Sequence, residues 1–173
     1  MKSNRTSVIT IVVALLIGAG FALAGSQGGA TIGGFPLFAL AVIAAFAIQV
    51  IAFVPAAALR TERFFDLTGS LTFIVISIAL VLLVPQIDAR GLILAAMVVL
   101  WAVRLGSFLF ARVRRAGSDS RFEQIKGSPV RFLQVWVLQG LWVSITAGAA
   151  WIAMTVAPAQ QRPLEWLGVV GIV

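Results

Sequence analysis

The stretch Gly91-Leu-Ile-Leu-Ala-Ala-Met-Val-Val-Leu-Trp-Ala-Val-Arg-Leu-Gly-Ser-Phe-Leu-Phe-Ala111 decides how this chain must fold. Arg104 is its only charge. A helix of about 20 apolar residues matches the roughly 30 Å hydrocarbon core of a bilayer. The run lacks the apolar–polar alternation that a membrane barrel strand needs. It reads as one membrane-spanning helix.

Four more runs of this kind surround it. Residues 8–24 follow Lys2 and Arg5, and residues 35–59 follow a Gly-rich loop at 26–34. Residues 67–84 are entered through Arg60-Thr-Glu-Arg-Phe-Phe-Asp66, and residues 132–156 form the fifth run. The expected fold class is all-α: a polytopic helical membrane protein in a single transmembrane domain over residues 1–173. A partial sixth apolar run occupies 164–173. Ten helical residues reach only about 15 Å, half of the hydrocarbon core. That run is therefore expected to be the start of a longer helix, and the chain the N-terminal part of a longer protein.

Composition agrees. Of 173 residues 61% are hydrophobic and only 11% charged, with a mean hydropathy of +1.06. A soluble domain of this length cannot hide so much apolar surface in its own core, so membrane lipids are the expected partner. The net charge of +7 would suggest nucleic acid in a soluble protein. Here the basic residues sit in short loops between apolar runs, so anionic headgroups are the simpler partner and no nucleic acid is expected. Cys, His and Tyr are all absent, which removes disulfides, thiolate nucleophiles and the usual zinc ligands. No metal site is expected.

Lys2, Arg5, Arg60, Arg63, Arg112, Arg114, Arg115, Arg121, Lys126 and Arg131 fall on one side of the predicted spans, and only Arg90 and Arg162 on the other. The positive-inside rule then places the N-terminus in the cytoplasm and the protein in the inner membrane. The first run also has the make-up of a signal peptide, with Ala22-Leu-Ala24 before Gly25. It is long for a signal and further spans follow at once, so an uncleaved anchor is the preferred reading.

Few side chains can carry chemistry. Arg104 lies about 10 Å below Ala111 along its helix, where a guanidinium usually meets a partner or a wet cavity. Arg115 is eleven positions on, close to three turns, and so shares its face; together they could hold phosphates. Ordinary positive-inside topology also explains Arg112, Arg114 and Arg115. On the preceding helix Asp66, Gly69, Ser70 and Phe73 share one face, and Ser70 and Thr72 reach the depth at which they could partner Arg104. Asp66 alone would be explained as an N-cap. Gln49, Gln134 and Gln139 are intramembrane amides that either bond a polar substrate group or join helices. Trp101, Trp136, Trp142 and Trp151 either line an apolar pocket or pack. Ser120-Arg-Phe-Glu123 has capping-box spacing and suggests a short surface helix.

Four motifs follow in order: Thr61-Glu-Arg-Phe-Phe-Asp-Leu-Thr-Gly-Ser-Leu-Thr-Phe73, Trp101-Ala-Val-Arg-Leu-Gly106, Arg115-Ala-Gly-Ser-Asp-Ser-Arg-Phe122 and Leu138-Gln-Gly-Leu-Trp142. Together they resemble an uncharacterised family of bacterial membrane proteins related to steroid 5-alpha-reductases. The resemblance implies a helical membrane enzyme that reduces a carbon–carbon double bond in a hydrophobic, lipid-like small molecule. It implies NADPH entering from the cytoplasm and bound through Arg104 and Arg115, with the polar face of Asp66 and Ser70 near the cofactor or substrate; Gln49 is grouped with that face as a candidate substrate contact. The Arg-His-Pro-Asn-Tyr-like cofactor signature of those reductases does not occur in this sequence, nor does any Tyr. Two other classes stay open: a small transporter or channel with Arg104 on its pathway, and a non-catalytic membrane subunit.

Overall fold

A computed structural model describes residues 4–116, 122, 125–161 and 165. Its five long helices are α1 (Asn4–Gly25), α2 (Leu37–Ala58), α3 (Phe65–Leu83), α4 (Ala89–Ala116) and α5 (Pro129–Met154). Each is long and apolar enough to cross a membrane, so the fold is the all-helical multi-pass bundle that the apolar runs predict. The helix ends fall within a few residues of the predicted spans: α1 and α4 overshoot at both ends, α2 falls short at both, and α3 and α5 start and end early. The largest excess is at the end of α4, which continues into the basic segment Arg112–Arg115. Apolarity ends where lipid ends, whereas helical hydrogen bonding does not. Those last-turn cations also face the negative end of the helix dipole. The capping box at 120–123 and the apolar run at 164–173 lie outside the described residues, apart from Phe122 and Glu165.

The Gly-rich loop is more ordered than its composition suggests. Thr31–Ile32 and Phe35–Pro36 pair as a two-stranded antiparallel hairpin, β1–β2. Its turn, Gly33-Gly34, has φ of 56° and 84°; two successive positive φ values suit glycine and match the twist of a tight hairpin. The hairpin is tied to the end of α5 where Ala30 N donates to Thr155 O at 2.7 Å. At the other end of the bundle α2 stops in a Schellman motif, with Thr61 N on Ala56 O and Arg60 N on Ala57 O. Arg60 occupies its left-handed position at φ 48°.

Successive helices run in opposite directions. Phe46 of α2 lies against Gly18 of α1 and Gly140 of α5, and Phe53 stacks on Phe132. On α3 and α4 the matched pairs are Asp66–Arg112, Ser70–Gly106 and Phe73–Trp101. One end of the bundle therefore gathers Asn4, the 59–64 loop, the end of α4 and the start of α5. Two contacts fasten that end: Ser128 Oγ donates to Asn4 Oδ1 at 3.0 Å, and Lys126 Nζ pairs with the buried Glu62 at 2.5 Å.

Unlike a soluble protein's, the outer surface is apolar as well as the core, and a few polar groups sit inside. Leu16, Ile51, Leu82 and Leu100 stand on the outer surface, while Gln49, Thr72, Ser77 and Ser144 are fully buried. Inside, Gln49 Nε2 donates to Thr72 Oγ1 at 2.8 Å and Trp151 Nε1 to Ser77 Oγ at 3.0 Å. With lipid outside, apolar burial supplies little drive between helices. Close packing and such hydrogen bonds take its place.

Candidate functional site

Helical period puts Asp66, Gly69, Ser70 and Phe73 on one face of α3, and that face opens onto a groove. Leu105 and Leu109 of α4 form its second wall, and Val135, Leu138, Gln139 and Trp142 of α5 its third. The cavity measures about 470 Å³, within the range of small-molecule sites. Trp142 and Ile145 are 68% and 50% exposed on the outer surface, so the groove opens sideways, toward the lipid.

Its polar atoms collect at one end, near the 59–64 loop. There Asp66 Oδ2 pairs with Arg112 Nη2 at 3.3 Å. Ser70 Oγ donates to Asp66 O at 3.2 Å, and Gln139 Nε2 donates to Phe65 O at 2.8 Å. Two glycines permit this closeness. A Cβ on Gly69 would stand 2.5 Å from Gln139 Nε2, and one on Gly106 would stand 2.8 Å from Ser70 Cβ. Seven residues along α3, about 10 Å, the groove floor is the ring of Phe73, which meets Trp101 edge-on at 5.0 Å.

Asp66 is not the N-cap that its position suggests. Helix α3 begins one residue earlier, at Phe65, with Phe64 as its cap residue, and this leaves the Asp66 carboxylate inside the first turn for Arg112. Gln49 is buried away from the groove, at the packed junction of α2 and α3, where it serves Thr72. Its Oε1 has no hydrogen-bond partner among the described residues. The groove thus unites Asp66 and Ser70 and excludes Gln49.

Arg104 does not meet Ser70 or Thr72. Thr72 Oγ1 donates to Thr68 O, and Ser70 faces Gly106. Arg104 is exposed on the outer face of α4, where it forms a hollow with Trp101, Leu105 and Phe108. A second hollow on the same face holds Phe108, Ala111, Arg112 and Arg115. Phe108 belongs to both, so Arg104 and Arg115 do share one stripe. Neither makes a hydrogen bond or ion pair among the described residues. Leu105 in turn lines both the Arg104 hollow and the groove; the two features are one side chain apart.

Sequence reading located the α3 face and named Trp142 as a candidate pocket residue, but it missed the approach of Arg112 and Gly106 to that face, because spacing along one helix says nothing of how its neighbour is rotated. For Arg112 a usable signal existed: α3 and α4 are joined by a short connection and run antiparallel, so the residues opposite the start of α3 must come from the last turns of α4. Among the described residues no three acidic side chains gather as metal ligands would.

The model of a family described as protein of unknown function (DUF1295) matches residues 52–173, which include every groove residue and both exposed arginines. No curated protein and no solved structure matches the chain.

Proposed function

We propose, from the premise that this chain belongs to the DUF1295 family of proteins of unknown function, that it is the membrane-bound bundle of an NADPH-dependent reductase similar to steroid 5-alpha-reductases. In this reading the groove between α3, α4 and α5 holds a lipid-like substrate drawn from the inner membrane. One observation carries it: an apolar groove that opens toward lipid and ends in a compact polar group. That is the shape complement of an amphiphile.

The residues on α4 suit the phosphates of the cofactor. Arg104 and Arg115 are exposed guanidiniums with no partner among the described residues, and planar guanidinium forks bind phosphate oxygens in pairs. When bound, such a cofactor would supply a hydride. The protein's share is to keep the substrate's body dry between Phe73, Leu105 and Leu109 and to anchor its head at Ser70 and Gln139. With no Tyr or His in the chain, a hydrogen bond from it to the reacting end would come from an amide, hydroxyl, indole, guanidinium, ammonium or protonated carboxyl group, or through water. A transporter would place Arg104 on an internal path, and its place on the outer face of α4 favours the reductase.

The test is NADPH binding to the full chain in detergent. Wild type should bind, and Arg104→Ala and Arg115→Ala should each lower affinity by about tenfold or more, the worth of one charge-assisted phosphate contact. Equal binding by both variants would remove these arginines from the cofactor site.

A further inference from the structure

We infer that the groove's ligand is an uncharged amphiphile whose head donates a hydrogen bond, such as a long-chain or polycyclic alcohol. This rests on the reading of the groove as a substrate site and names the substrate class.

The argument is an inventory of hydrogens at the polar end. Ser70 Oγ commits its only hydrogen to Asp66 O, so toward the groove it can only accept. The Gln139 amide is oriented by Phe65 O, which as a carbonyl can take only Nε2; its Oε1 is left as an acceptor. Asp66, ion-paired with Arg112, contributes carboxylate oxygens and no hydrogen. Arg112, the neighbouring strong donor, is not among the lining residues. Against these acceptors stand the second amide hydrogen of Gln139 and, one turn further along α5, the indole N–H of Trp142.

A head that only accepts, such as a carboxylate, would face oxygen lone pairs and the charge of Asp66. A hydroxyl can give its hydrogen to Ser70 Oγ or Gln139 Oε1 and accept the remaining amide hydrogen. A cationic head would gain little, since Arg112 already compensates Asp66. Apart from the Trp142 indole N–H, every other lining side chain is apolar, so the ligand's body must be hydrocarbon.

The experiment uses the full chain in nanodiscs and three photoreactive probes of equal chain length: an alcohol, a fatty acid and an alkane. Labelling is read at Leu138–Ile145 and, as a control, at the outward-facing Leu100. The alcohol should label the groove at least fivefold above the acid and the alkane. Ser70→Ala should cut that preference by about fivefold, the worth of one hydrogen bond. The substitution itself is mild, because Ser70 makes only a local bond and packs on Gly106. Ile145→Trp, at a half-exposed position, should fill the groove and suppress labelling by all three probes.

Strong groove labelling with the acid equal to or above the alcohol would overturn the alcohol assignment and leave the groove reading standing. An alcohol preference unchanged in Ser70→Ala would overturn it too. Labelling no stronger at Leu138–Ile145 than at Leu100, and indifferent to Ile145→Trp, would sink the groove reading itself, and the assignment with it.

Discussion

Ser77 and Trp151 meet in the middle of the bundle, each fully buried, with Nε1 donating to Oγ. Ser77→Ala keeps the shape and strands an indole N–H, so stability should fall by about 1 kcal/mol, the scale found for hydrogen bonds between membrane helices. Unfolding in mixed detergent micelles would measure it, and an unchanged midpoint would show the bond to be idle. Glycines offer a sharper contrast. Gly106→Ala pushes a methyl to 2.8 Å from Ser70 Cβ, whereas Gly20 has open space around it. The first substitution should cost about 1–3 kcal/mol by overpacking; the second should be neutral or stabilising, since Ala is the better helix former. Equal thermal shifts would contradict the close approach of α3 and α4. At this scale the residues of the α3 face were legible because a period of 3.6 needs only one helix. The outward facing of Arg104 and the pairing of Asp66 with Arg112 were not legible, because a contact between helices depends on the rotation of both.

Elements were easier to read, and the reason is solvent. Lipid offers no hydrogen bonds, so a long apolar run has little choice but to close its own backbone bonds as helix. Length and hydropathy therefore located all five helices to within a few residues. The loops obey other rules. Arg60 ends α2 from a left-handed position that usually belongs to glycine, and a hairpin with a two-residue turn forms where the sequence reads only as a Gly-rich loop. α4 is the element whose reading changed most. Its inward side packs on α3 while its outward side carries Trp101, Arg104 and Phe108, so the arginine that looked like a lining residue faces away from the bundle's interior. If lipid covers that face, the guanidinium is costly there. That cost is one more reason to look for an anionic ligand on the stripe.

The whole molecule is a stack of alternating helices, and alternation makes its topology testable at two points. Gly127 and Thr31 lie at opposite ends of the bundle, both exposed, and the chain has no native Cys to interfere. Gly127→Cys and Thr31→Cys should react with a membrane-impermeant thiol reagent from opposite sides. With the N-terminus cytoplasmic, only Thr31→Cys should label in spheroplasts; the reverse pattern would invert the orientation, and labelling of both would break the alternation. Long-range packing adds a temporal constraint. Helix α1 rests chiefly on α5 rather than on its neighbour in sequence: Phe21 lies on Gly148, Gly25 beside Ile152, and Ala30 is bonded to Thr155. A ribosome delivers α1 long before α5. The earlier span must therefore wait beside the translocon, its small-residue face covered only by lipid or by an insertion chaperone, until α5 arrives to pack against it.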